Sequence, residues 1–179
     1  MASNQQNARL SSPKDADALA KRLRALVSET HEGAHDVVSI EVFSTEETDL
    51  LGALVADVLP DGAVVALQGT LGAGKTRFVQ AVAQALGVPP EDVTSPTFVL
   101  IQEYLSGKRP VFHFDTYRLK DEDEFLELGP DEYFLAGGLT FIEWAERVQN
   151  CLPPTFFLIE IEHSGESQRT FRLSKKTTL

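Results

Sequence analysis

Eight consecutive residues, Gly69-Thr70-Leu71-Gly72-Ala73-Gly74-Lys75-Thr76, spell G-x-x-x-x-G-K-[ST] and constrain the fold more than any other stretch of the chain. Such a loop works between a strand and a helix. Its glycines turn successive backbone N–H groups toward one anion, and the helix start adds its positive dipole end. Both flanks are present. Ala63-Val64-Val65-Ala66-Leu67 is an apolar run of strand length, as expected for a central strand buried on both faces. Beyond Thr76, the residues Phe78, Val79, Val82 and Leu86 recur at helical spacing up to Gly87, a C-cap ahead of Pro89 and Pro90. Lys75 is expected to reach the terminal phosphates, and the Thr76 hydroxyl to sit on a bound magnesium ion.

The 179 residues suffice for one well-buried core and are too few for two ordinary domains. Residues 1–36 read as an N-terminal tail with one amphipathic helix, and residues 37–179 as the P-loop domain. The first dozen residues are polar and expected to be disordered, with Ser11-Ser12-Pro13 as a helix-start signal. From Lys14 to Val27 an apolar stripe of Leu19, Leu23 and Leu26 either packs on its own domain or docks on another protein. A linker is expected at 32–35. Val38, Ile40 and Val42 alternate as in a strand, and Ser44-Thr45-Glu46-Glu47 fits a capping box opening the next helix. Downstream, 98–104 and 111–115 flank Ser106-Gly107 as a β-hairpin. Helices are expected at 121–128 and 130–135, then an apolar strand ending at Glu143, and strands at 156–162 and 169–173. The whole reads as an α/β P-loop NTPase domain, a mixed sheet with a parallel centre and an antiparallel hairpin, and helices on both faces.

A P-loop needs a second anchor for magnesium, normally an acidic residue at the end of a neighbouring apolar strand. Glu143 and Asp115 both qualify. Spacing favours Glu143 as the metal partner, with Asp115 handling the attacking or a metal-bound water; either could instead be a solvated carboxylate at a strand end. His113 shares a face with Asp115, but no other histidine or cysteine lies at zinc-ligand spacing from it. Ser95-Pro96-Thr97 lies where P-loop proteins often sense the γ-phosphate, although it reads equally as the start of a strand. Arg118 either neutralises phosphate charge or forms a surface ion pair. Trp144, the only tryptophan, is either a packing residue or a contact to ligand or partner.

Charge narrows the partners. Sixteen basic residues against 27 acidic ones give a formal net charge of −11, which disfavours autonomous binding of tRNA or DNA. A single cysteine, Cys151, and a start without an apolar signal core fit a soluble cytoplasmic protein, and no run approaches membrane-spanning length. A GTPase is excluded by the missing N-K-x-D signature. A small-molecule P-loop kinase would need cations for its phosphorylated substrate, and 91–146 offers only Lys108, Arg109, Arg118 and Lys120. A nucleotide-gated binding module is a further alternative.

Taken together, Leu71 to Thr76, Thr94-Ser95-Pro96-Thr97-Phe98, His113-Phe114-Asp115-Thr116-Tyr117-Arg118-Leu119, Glu127-Leu128-Gly129, Glu132-Tyr133-Phe134 and Ile142-Glu143-Trp144 resemble the bacterial TsaE family, also called YjeE. The resemblance runs from about Val42 to Leu173. It implies an ATPase needed for threonylcarbamoyladenosine in tRNA, working with TsaB and TsaD proteins, which transfer the group supplied by TsaC and reach tRNA on its behalf. It also implies that Gly69, Thr70, Leu71, Gly72, Ala73, Gly74, Lys75 and Thr76 bind ATP, that Thr76 and Glu143 hold Mg2+, and that Thr97 and Asp115 serve hydrolysis. Adenine is expected near Ser44 and Thr45 and near the loop before Arg169, with Trp144 close to nucleotide or partner. Thr116 stands where a leucine is usual in the family, at a position expected to lie away from the chemistry.

Overall fold

The computed structural model describes residues 8–10, 12–28, 36–96 and 99–177. The expected linker at 32–35, and the first seven residues, lie outside them. Among the described residues eight strands form one sheet: β1 (Ala8–Arg9), β2 (Val37–Val42), β3 (Val64–Gln68), β4 (Ile101–Tyr104), β5 (Val111–Asp115), β6 (Leu139–Glu143), β7 (Thr155–His163) and β8 (Arg169–Thr177). Their spatial order is β1-β2-β8-β7-β3-β6-β5-β4. At the centre β7, β3, β6 and β5 run parallel. The expected hairpin β4–β5 is antiparallel, and on the other flank β8 runs antiparallel to both β7 and β2.

Helices cover both faces because alternate residues of the buried strands point opposite ways. Val65 and Leu67 of β3 and Phe141 of β6 join a core with α1 (Pro13–Ser28), α2 (Thr45–Val58) and α3 (Lys75–Ala85). Val64 and Ala66, with Ile142, face a smaller core containing Phe125 of α4 (Glu122–Glu127) and the flank of α5 (Pro130–Leu135). Pro at the first helical position starts α5, and the Asp121 side chain caps α4 by accepting from the Glu124 N–H at 3.0 Å. No helix among the described residues is long and apolar enough to cross a membrane.

Three local expectations change. Ala8 and Arg9, read as disordered tail, pair in parallel with Ile40 and Glu41, while Leu10 is buried and the Arg9 guanidinium lies 4.2 Å from the Phe43 ring centre. Edge pairing uses backbone groups, so polar sequence does not prevent it. The strand expected from residue 98 starts at Ile101. Val99 and Leu100 both donate their N–H groups to the Pro96 carbonyl, and Leu100 adopts φ 61°, a turn that interrupts extension. The last strand extends beyond Leu173 to Thr177, because β7 offers it a nine-residue partner. The apolar stripe of α1 packs on the chain itself, with Leu19, Leu23 and Leu26 in the larger core.

Gly52 lies where α2 packs closely on α3. A Cβ there would stand 2.7 Å from Ala81 Cβ and 3.0 Å from the α3 backbone. Gly52→Val is expected to destabilise the fold by roughly 2–3 kcal/mol through overpacking, read as a lower midpoint in urea unfolding. An unchanged midpoint would contradict this packing.

Candidate functional site

β3 ends at Gln68, and the loop to Lys75 turns over the carboxyl ends of the parallel strands, where open α/β sheets place their ligands. Gly69 comes so close to β7 that a Cβ would lie 2.4 Å from the Ile161 carbonyl oxygen. Gly74 has φ 108°, a conformation that disfavours other residues, and caps the start of α3 with open space above it. The loop therefore presents backbone N–H groups and a helix N-terminus without side chains in the way.

Lys75 is 4% exposed. Its ammonium donates to the carbonyls of Gly69 at 2.6 Å and Thr70 at 3.2 Å and sits 3.6 Å from the Trp144 ring centre. Burial draws its pKa below the ordinary lysine value, against the opposing charges of Glu143, Glu146 and Asp115.

The β5–β6 register sets Asp115 opposite Glu143 at the strand ends, so the two candidate carboxylates share one edge. Their environments differ. Glu143 is 3% exposed, and its Oε1 accepts from the Thr76 hydroxyl at 2.6 Å. Asp115 is half-buried, and its Oδ1 accepts from the Tyr117 N–H at 3.1 Å. The geometry thus joins Glu143, and not Asp115, to the P-loop threonine. A cleft of about 470 Å³ brings Lys75, Thr76, Asp115, Arg118, Glu143 and Trp144 together. Thr97 lies outside the described residues.

On the other side of the loop, a cleft of about 540 Å³ is lined by Ser44, Thr45, Gly72, Arg77, Glu166 and Arg169. The capping box expected there forms with one shift: the Ser44 hydroxyl accepts from the Glu47 N–H at 3.2 Å, while Glu47 Oε2 accepts from the N–H of Phe43, one residue before the cap, at 2.8 Å. Arg169 Nε donates to the Ala73 carbonyl at 3.2 Å, which ties the start of β8 to the P-loop. Two clefts therefore flank the one glycine-rich loop. The donors present suit a magnesium nucleotide: hard oxygens of a hydroxyl and a carboxylate, backbone N–H groups, and a buried ammonium.

Trp144 takes the left-handed conformation, φ 59°, rare for a bulky residue, and its ring packs 4.9 Å from that of Tyr117. Thr116 stabilises this turn. Its hydroxyl lies 2.8 Å from the Glu143 carbonyl oxygen and 2.9 Å from that of Trp144. Thr116 is 1% exposed and holds the backbone on which both residues ride, without itself lining the cleft. His113 also matters more than its lack of zinc spacing suggested. Wholly buried, its Nε2 lies 2.7 Å from Glu143 Oε1, and its Nδ1 lies 3.4 Å from the Tyr104 hydroxyl. Tyr104 was not singled out in the sequence; the available signal was an imidazole between two phenylalanines in an apolar strand, a buried polar group that must find partners.

The family model described as threonylcarbamoyl adenosine biosynthesis protein TsaE matches residues 42–171. The TsaE protein of Bacillus subtilis is 42% identical over 124 residues, covering 69% of this chain and 77% of that protein. That of Treponema pallidum is 39% identical over 126 residues, covering 70% and 92%. The crystal structure of Bacillus subtilis YdiB superposes with a TM-score of 0.66 at 32% identity, over 79% of this chain and 86% of that one.

Proposed function

The chain belongs to the TsaE family of tRNA threonylcarbamoyladenosine biosynthesis proteins, and on that premise we propose that it binds and slowly hydrolyses ATP in the service of this modification, together with TsaB and TsaD partners. The contact that carries the reading is Thr76 Oγ1 to Glu143 Oε1 at 2.6 Å, beside the buried ammonium of Lys75. A hydroxyl and a carboxylate from two different elements meet where a P-loop protein needs its cation donors.

In this reading Gly69 to Thr76 hold the phosphates, and Ser44 and Thr45 stand at the adenine side. Thr76 and Glu143 hold Mg2+, which neutralises charge on the phosphate oxygens when bound with ATP. Lys75 offers its ammonium to the terminal phosphates once those compete with the Gly69 and Thr70 carbonyls. Asp115 orients water from the edge of the same cleft, and Thr97 responds to the γ-phosphate. Arg118 and Trp144 meet the transition state or the partner. A net charge of −11 leaves the grip on tRNA to the partner proteins.

Turnover is expected to be slow for the protein alone and to rise by up to roughly 10³-fold to 10⁵-fold when TsaB and TsaD are added, since P-loop hydrolysis is commonly completed in trans. A reconstituted tRNA modification assay that follows ATP hydrolysis in parallel measures both. Equal hydrolysis rates with and without the partners would sink the partner-dependent reading, and a requirement for a small metabolite would favour a kinase.

A further inference from the structure

Three strands contribute one polar side chain each to a buried chain of hydrogen bonds across the α3 side of the sheet. Glu143 comes from β6, His113 from β5 and Tyr104 from β4, and Tyr104 reaches off the sheet to donate to the Thr94 carbonyl. Apart from the peptide end at Thr94, every member is nearly excluded from water, with Glu143 at 3%, His113 at 0% and Tyr104 at 2% exposure. A carboxylate only accepts, so His113 Nε2 carries the hydrogen it shares with Glu143 Oε1. Burial, and then the charge of Glu143, push the Tyr104 hydroxyl up to about 12, so it keeps its one hydrogen, which it donates to the Thr94 carbonyl and shares with the accepting His113 Nδ1 at 3.4 Å.

Thr94 opens the segment that leads through Ser95 and Pro96 toward Thr97. The far end of that segment is tied as well, because the Leu100 carbonyl accepts from the Asp115 N–H at 2.9 Å. Thr94 is thus fastened through Tyr104 and His113 to Glu143, and Leu100 to the backbone of Asp115. Buried polar groups lose much when a partner is withdrawn. A displacement of Thr94 therefore loads the Glu143 carboxylate, and a change at Glu143 loads Thr94.

We propose that His113 and Tyr104 are positioning residues that hold the Glu143 carboxylate against Thr76 and couple it to Thr94, so that cation binding and the placement of Thr94 are one event. This rests on the reading of Glu143 as a magnesium-holding group. Neither residue touches nucleotide in this scheme; both act through Glu143 and Thr94.

Side-chain reach separates the two halves of the link. Asparagine at 113 extends only to the Nδ1 position and loses the bond to Glu143, whereas glutamine extends to the Nε2 position and keeps a donor there. Tyr104→Phe keeps the ring and removes the bond to Thr94. Two readouts apply: amide hydrogen exchange of 94–100 in nucleotide-free protein, and the Mg2+ concentration that half-saturates equilibrium ATP binding, with Mg2+-free ATP affinity as reference. Tyr104→Phe is expected to speed exchange in 94–100 on the order of tenfold. His113→Asn is expected to raise half-saturating Mg2+ on the order of tenfold, with Mg2+-free affinity little changed, and His113→Gln to recover it to within about threefold. Wild-type exchange rates in Tyr104→Phe, or equal Mg2+ dependence in His113→Asn and His113→Gln, overturn the proposal. Failure of the wild-type protein to bind ATP would instead remove the functional reading, and the nucleotide-free exchange comparison would still decide whether the link to Thr94 exists.

Discussion

Lys75→Ala is expected to weaken ATP binding by roughly a hundredfold or more and to abolish measurable hydrolysis. A charge-assisted hydrogen bond from a buried ammonium to phosphate contributes about 3 kcal/mol, and about 1.4 kcal/mol corresponds to a factor of ten in affinity. The ammonium is already desolvated and placed, at 4% exposure between two P-loop carbonyls and the Trp144 ring, so little ordering cost remains for binding. The same ring offers the measurement. Trp144 is the only tryptophan, and its emission is expected to change on ATP addition to the wild-type protein, and to do so in Lys75→Ala only at far higher ATP concentration. Equal ATP affinity in the two proteins would mean that the loop does not hold the phosphates. Circular dichroism guards against the trivial outcome of an unfolded variant.

Glu143→Gln is expected to separate binding from turnover. Glutamine keeps the size of the side chain and an oxygen that can accept from Thr76, but removes the charge facing the cation. ATP binding should stay within several-fold of wild type, while hydrolysis falls by about 10² to 10³, the cost typical of removing a preorganised charged group from a reacting centre. The biological consequence can then be read in the reconstituted assay. If hydrolysis drives the cycle, the variant should support at most a single round of tRNA modification. Multiple rounds by a protein that binds ATP without cleaving it would show that hydrolysis is incidental, and that nucleotide binding alone switches the partner complex. Lys75→Ala fails under both schemes, so only the pair of variants discriminates between them.

The two variants differ in how visible their residues were beforehand. Lys75 belongs to a loop whose function is made by contiguous backbone: strand, glycines, lysine and helix start within a dozen residues, each identifiable from its own chemistry. Glu143 was recognisable as a carboxylate ending an apolar strand, but so was Asp115, and spacing favoured Glu143 without joining it to the P-loop. That join comes from β6 lying beside β3, which carries Glu143 to the Thr76 hydroxyl, while β5 holds Asp115 one strand further out. The elements themselves were largely legible from apolar periodicity and caps. Exceptions arose where backbone pairing overrode composition, at Ala8 and Arg9, and where a turn at Pro96 delayed β4 to Ile101.

By itself, the order of residues determined that Gly69 to Thr76 form a P-loop between a strand and a helix, that the surrounding domain is α/β with a parallel centre, and that the motifs are those of one family. These follow from short-range chemistry, because turn conformation, helix caps and strand alternation are decided within a few residues of one another. Only the tertiary structure decided that Glu143 pairs with Thr76, 67 positions away, that His113 and Tyr104 extend that pair to Thr94, and that Thr116 holds the turn at Trp144. Those contacts depend on which strands are neighbours and in what register. Strand order is set by the packing of the whole sheet against its helices, so it is encoded across the chain and not in the spacing of any one motif.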